Sequence, residues 1–341
     1  MPKPRLTAVR MTAISGMLVL AMVSVAWADG PVGEEPAGAV LAVEFPPGEP
    51  VIEPYRIYEN GFYDPPPVER PGGMLSRLTR NLSLFAGVHG FKGPTDFGRN
   101  GNFGFHEGLN FGAPIGDPWG FSYQIGFQAT HSNFVGNQAL EGGYLPHISG
   151  ADRNQVFLTA GVFRRAFGGG MQTGMVFDLF YDDYYQSTTL QQIRSETAFV
   201  LSDLREIGYW GAYGLSKDTI TGLGKFDSVL DPTDMFAAFY RRHFTGGGQG
   251  RLWLGLSGDG DVICGLDGTV PLGTSWSLEN NFTALFPKHG RRADGQTDEA
   301  WSVSIQLVWY PGRSARGVFL NPSQPLFYVA DNSWFLVDRR N

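Results

Sequence analysis

Cysteine is almost missing from this chain. Cys264 stands alone among 341 residues, so no intrachain disulfide can form, and none immediately follows the N-terminal leader to carry a lipid. Charge is also scarce, at 17% Asp, Glu, Lys and Arg against the ~25% usual in soluble domains. The 26 basic residues form no clustered patch, which argues against a nucleic-acid partner. No apolar run reaches the ~18 residues of a spanning helix. No HxxxH or CxxC spacing occurs, so neither a metal nor another cofactor is expected.

Glycine and aromatic residues are abundant. The 47 glycines are roughly twice the usual ~7% share, and aromatics reach 14%. The first residues, 1–28, read as a cleaved secretory signal: Lys3, Arg5 and Arg10, then an apolar stretch, then Ala26-Trp27-Ala28 at the cleavage point. Residues 29–80 are expected to form an extended periplasmic linker. Nine acids, two bases and ten of the chain's 22 prolines fall within 29–72, a composition suited to contacting a periplasmic partner.

From residue 81 one device repeats. In WGFSYQIGFQAT (119–130), Trp119, Phe121, Tyr123, Ile125, Phe127 and Ala129 alternate with Gly120, Ser122, Gln124, Gly126, Gln128 and Thr130. Successive strand side chains point to opposite faces, so one face is apolar and the other small and polar. Twelve such stretches are read: 81–91, 101–112, 119–130, 155–164, 171–181, 193–202, 207–216, 235–244, 251–258, 261–270, 275–286 and 301–310. Links after the second, fourth, sixth, eighth and tenth are short and turn-like. Those after the first, third, fifth, seventh and eleventh are longer, and only the link after the ninth, around Gly258-Asp259-Gly260, breaks the pattern. Twelve residues at ~3.3 Å each, tilted about 40°, rise roughly 30 Å, enough to cross the ~25 Å apolar band of an outer-membrane barrel. Trp119, Trp276 and Trp309 fall at the turn-side ends, and Phe91, Tyr181, Phe286 and Trp301 at the loop-side ends, as two interfacial girdles. A hairpin between the last two stretches pairs residues whose numbers sum to about 585, so Trp276 meets Trp309, Leu278 meets Leu307, Glu279 meets Gln306 and Asn281 meets Ser304.

Signal, even strand count, aromatic ends and loop asymmetry together resemble the outer-membrane β-barrels of bacteria with two membranes, the porin-like proteins broadly. The resemblance implies an all-β, antiparallel up-and-down barrel over 81–310 in the outer membrane, with lipid outside and small polar solutes within. Such barrels usually end on an aromatic; here residues 311–341 continue past Tyr310 as a tail. PLFYVA and SWFLV suggest a small hairpin around Asp331-Asn332. Packing on the barrel rim is expected, with a plug in the lumen and a periplasmic contact as alternatives.

The inward residues Gln124, Gln128, Gln172, Asp178, Arg194, Glu196, Arg251, Asp267, Glu279, Asn281, Ser304 and Gln306 are the candidate pore lining of a channel. An arginine at position 124 is accordingly expected to be tolerated. A non-conducting structural or surface-binding barrel is the other reading, because twelve strands enclose a narrow lumen. No catalytic residues are assigned: His131 and Ser132 superficially resemble the His and Ser of outer-membrane phospholipase, but as neighbours in a strand they point to opposite faces.

Overall fold

The computed structural model describes residues 79–340 except 97–100, 135–151, 168, 185, 202–203, 221–227, 245, 289–298 and 317. The residues read as a signal and nearly all of those read as a linker therefore lie outside the described residues. Fifteen strands are described: β1 (Leu82–Lys92), β2 (Asn102–Pro114), β3 (Ser122–Ser132), β4 (Arg153–Arg164), β5 (Gly170–Asp183), β6 (Ser187–Val200), β7 (Arg205–Gly214), β8 (Asp218–Ile220), β9 (Ser228–Pro232), β10 (Met235–His243), β11 (Gln249–Ser257), β12 (Val262–Pro271), β13 (Trp276–Phe286), β14 (Ala300–Trp309) and β15 (Val337–Arg340). Twelve of them form a closed antiparallel barrel in the order β1-β14-β13-β12-β11-β10-β7-β6-β5-β4-β3-β2. Closure through β1 and β14 leaves the ring without an edge, so its ladder groups need no water.

Each barrel strand overlaps one of the twelve alternating stretches. The predicted register of the last hairpin is the observed one: Trp276 faces Trp309, Leu278 Leu307, Glu279 Gln306, Asn281 Ser304 and Thr283 Ser302. The Trp276 and Trp309 rings stack at 6.0 Å. In β3 the outward Tyr123, Ile125 and Phe127 are exposed while Ser122, Gln124, Gly126, Gln128 and Thr130 are buried. Across the barrel the exposed large side chains form an apolar outer wall, including Leu158, Phe177, Leu254 and Leu307. Trp119, Tyr181, Trp276, Phe286 and Trp309 are exposed, and Trp301 is half-exposed.

Apart from the tail, three features differ from the sequence reading. The link after the fifth strand is not long: β5 ends at Asp183 and β6 begins at Ser187, six residues ahead of the expected start. The strand continues there above the apolar wall, where outward Thr189 and Gln191 leave no aromatic signal while Thr188, Leu190 and Gln192 remain inward. The link between β7 and β10 contains β8 and β9, which form a separate sheet with β15 in the order β15-β9-β8. Phe91 faces inward rather than joining the loop-side girdle, and Arg153 stacks its guanidinium 4.9 Å from the ring centre.

The tail enters the lumen instead of packing on the rim. After β14 ends on the turn side the tail begins there, and its Phe319 stacks on His243, the last residue of β10, at 4.2 Å. Residues 323–336 then cross the interior, and Val337–Arg340 pair with Val229–Pro232 on the loop side. PLFYVA and SWFLV do not form a hairpin. A turn at Asp331, whose carbonyl accepts from the Trp334 and Phe335 amides, joins two segments that run in one overall direction.

The outer wall generates one prediction. Ile125→Arg, in the apolar band, costs about 2–4 kcal/mol of folding stability in vesicles, whereas Trp119→Arg, at the turn-side interface, costs about 0–1 kcal/mol. Equal costs in urea titrations would refute this depth assignment.

Candidate functional site

The site is the lumen. All twelve candidate lining residues stand on the inner wall: Gln124, Gln128, Gln172, Asp178, Arg194, Glu196, Arg251, Asp267 and Ser304 are buried, and Glu279, Asn281 and Gln306 are half-buried. Most face protein rather than open space, and they divide into residues that hold the tail and residues that hold one another.

The first group binds the tail by its main chain. Gln124 is bidentate to Phe327: its amide NH2 donates to the carbonyl at 3.2 Å and its oxygen accepts from the backbone NH at 3.1 Å. Asn110 also donates to the Phe327 carbonyl, at 2.9 Å. Arg194 reaches the Tyr328 carbonyl, the Ala330 NH donates to the Thr159 hydroxyl, and Thr283 and Gln192 donate to the carbonyls of Ser333 and Trp334. At the turn-side mouth, Arg165 holds the carbonyls of Gln324 and Pro325 at 2.8 and 2.7 Å. Asn281 donates to the Asp331 carboxylate at 3.1 Å. Buried peptide groups without partners are costly, and here side chains supply what a neighbouring strand would. The expectation that position 124 tolerates arginine therefore fails, because Gln124 is fully buried and both ends of its amide are used.

The second group is ionic. Asp178 holds Arg194 at 2.5 and 2.9 Å and accepts from Thr159 and Gln192. Glu196 bridges Arg241 and Arg251, at 2.8 and 2.6 Å; Arg251 continues to Asp267 and Arg241 to Glu206, which also meets His243 and Gln172. Near the loop-side mouth Arg153 joins Asp96 and Asp182. Burial pushes the Asp96 carboxyl above its ordinary value, while Arg153 pulls it back. Each arginine sits against carboxylates because a buried charge without a partner is strongly destabilising.

Sequence reasoning missed Asn110, Thr159, Gln192, Glu206 and Arg241, and it missed the aromatic component. Phe157, Phe163, Phe180, Trp210, Phe239 and Trp253 face inward. Tail residues pack among them: Phe335 lies 5.0 Å from Phe180, Trp334 lies 5.4 Å from Trp210, and Leu326 and Phe327 pack with Phe163 and Val176. Phe157 and Phe163 share a face with Gln155 and Thr159 in β4, a lumen-face aromatic signal visible in the sequence. A cavity of about 70 Å³ remains between tail and wall, bordered by Gln128, Glu279, Ser304, Gln306, Tyr310 and Tyr328.

His131 and Ser132 face opposite sides of the wall. His131 is exposed and lies between Asn154 and Glu107, at 2.8 and 3.1 Å. Ser132 is buried and meets His89 at 2.9 Å.

Residues 81–337 match the model of a family of unknown function (DUF6666), a span covering the barrel and nearly the whole tail. No curated protein matches the chain. Among solved structures, similarity extends to a membrane protein from work on in-meso crystallization (12% identity, TM-score 0.40, 75% of this chain and 99% of that one). It also extends to outer membrane phospholipase A from Escherichia coli (10%, TM-score 0.36, 67% and 92%) and to LpxR from Salmonella typhimurium (8%, TM-score 0.35, 67% and 99%).

Asp178→Ala, which strands Arg194 in the lumen, is expected to cost about 3–5 kcal/mol, whereas the paired replacement Asp178→Leu with Arg194→Met costs much less. Equilibrium unfolding of both variants in one detergent measures the difference; equal losses would show that the pair does not act as a unit.

Proposed function

We propose that this chain, which belongs to the family of unknown function DUF6666, is an outer-membrane β-barrel held shut by its own C-terminal tail and non-conducting in that state. The observation that carries this reading is the passage of residues 323–336 through the lumen, with their main chain bound to the wall and their aromatic side chains packed against it. Export through a cleaved signal at 1–28 delivers the protein to the outer membrane, lipid covers the apolar wall, and the acidic linker meets a periplasmic partner. We assign it no reaction: the exposed imidazole of His131 is held between Asn154 and Glu107, and Ser132 lies across the wall from it.

A second reading, passive passage of small polar solutes, draws support from the polar wall at the remaining cavity, where Gln128, Glu279, Ser304 and Gln306 line about 70 Å³. In this reading, removing the tail uncovers a hydrated path. Planar-bilayer recording separates the two states: the full chain stays silent, and a chain ending at residue 320 gives steady conductance. Steady conductance from the full chain would overturn the closed state, and silence from the shortened, folded chain would end the solute-channel reading.

A further inference from the structure

Resting on the reading of a barrel closed by its tail, we propose that the lumen is a peptide-binding channel. It recognises an extended, aromatic-rich polypeptide segment chiefly by its main chain, and residues 323–337 are its resident ligand. Three independent features point there.

The first is the kind of contact. Gln124, Asn110, Arg194, Thr159, Thr283 and Gln192 address backbone NH and carbonyl groups. The two-point grip of Gln124 on Phe327 uses the donor and acceptor of one residue, as a neighbouring strand would. Contacts of this kind depend on the conformation of the bound chain more than on its side chains.

The second feature is the shape of the wall. A Cβ at Gly112 would collide with Ser323 O, one at Gly126 with Val329, and one at Gly174 with Phe327. Inward glycines at these points bring the wall close to the bound chain and leave space for its side chains. At Gly112 the three nearest atoms all belong to the tail, so this position acts on the guest and not on the ring.

The third is that the barrel closes without the segment. All twelve of its strands pair with one another, and the tail joins only the small sheet on the loop side. Host and guest are therefore covalently linked but structurally separate, and a second polypeptide of the same chemistry fits the same path.

The test uses the chain ended at residue 320, folded into detergent, and a fluorescent synthetic peptide of residues 321–340, followed by anisotropy. Saturable binding is expected. N-methylation at Phe327, which removes the NH bound by Gln124, weakens it about tenfold, the scale of one hydrogen bond, and Gly112→Val in the barrel also weakens it. Absence of saturable binding to a folded barrel, or equal binding of a scrambled peptide, would overturn the proposal. Should the shortened chain fail to fold, a flexible loop carrying a protease site is inserted after the exposed Arg316 of the full chain and cut after folding. The cut tail is then expected to exchange with excess labelled peptide, and failure to exchange would count against the proposal. Because anisotropy does not depend on conductance, a silent but peptide-binding barrel and a conducting barrel that binds nothing remain distinguishable.

Discussion

The main chain of residues 323–336 lies inside a ring whose own hydrogen-bond ladders are complete, and the rest of the interior answers to that constraint. A closed barrel has no edge strand to offer, so partners for the buried peptide groups have to come from side chains. Amides, hydroxyls and guanidinium groups can reach inward by the right amount, and they occur at Gln124, Asn110, Thr159, Gln192 and Arg194. The same polar wall that would hydrate an open lumen is, in this molecule, largely engaged with protein.

Charge is distributed unevenly around that ring. The large ionic cluster runs from β6 through β7, β10 and β11 to β12, carried by Glu196, Glu206, Arg241, Arg251 and Asp267. The facing wall of β1, β2, β3 and β14 is mostly neutral, with His89, His106, Asn110, Gln124, Gln128 and Ser304. The ions brace several strands through direct pairs that omit the tail, while Arg194 and Gln192 serve both networks at once. Arg153, Asp96 and Asp182 make a second ionic knot nearer the loop side.

The barrel was legible in the sequence because an apolar outer wall around a closed ring imposes a strict rule on every second residue. Where that rule acts, at Tyr123, Ile125 and Leu307, strand, face and register follow from alternation alone, and the Trp276–Trp309 pairing follows from counting across one loop. Where it stops, the reading stops: Thr189 and Gln191 continue β6 beyond the apolar wall, so its early start was invisible. The candidate lining residues stand on the inner wall, but their partners were not legible, because Gln124 looks the same facing water as facing a peptide bond. The tail's destination was the largest gap. Its signal lay in Phe157 and Phe163 on a face reserved for polar groups, a departure whose meaning depends on knowing what occupies the space opposite.

The last barrel strand, β14, is followed, after a short stretch on the turn side, by the segment that occupies the ring, and β14 also forms the closing seam with β1. That arrangement ties the order of assembly to topology. A free end must thread a finished hoop from the turn side to the loop side, or the hoop must zip shut around a segment already laid across it. The second route spares bulky Trp334 and Phe335 a passage through a narrow ring, and it makes β1–β14 pairing the final, committing step of biogenesis.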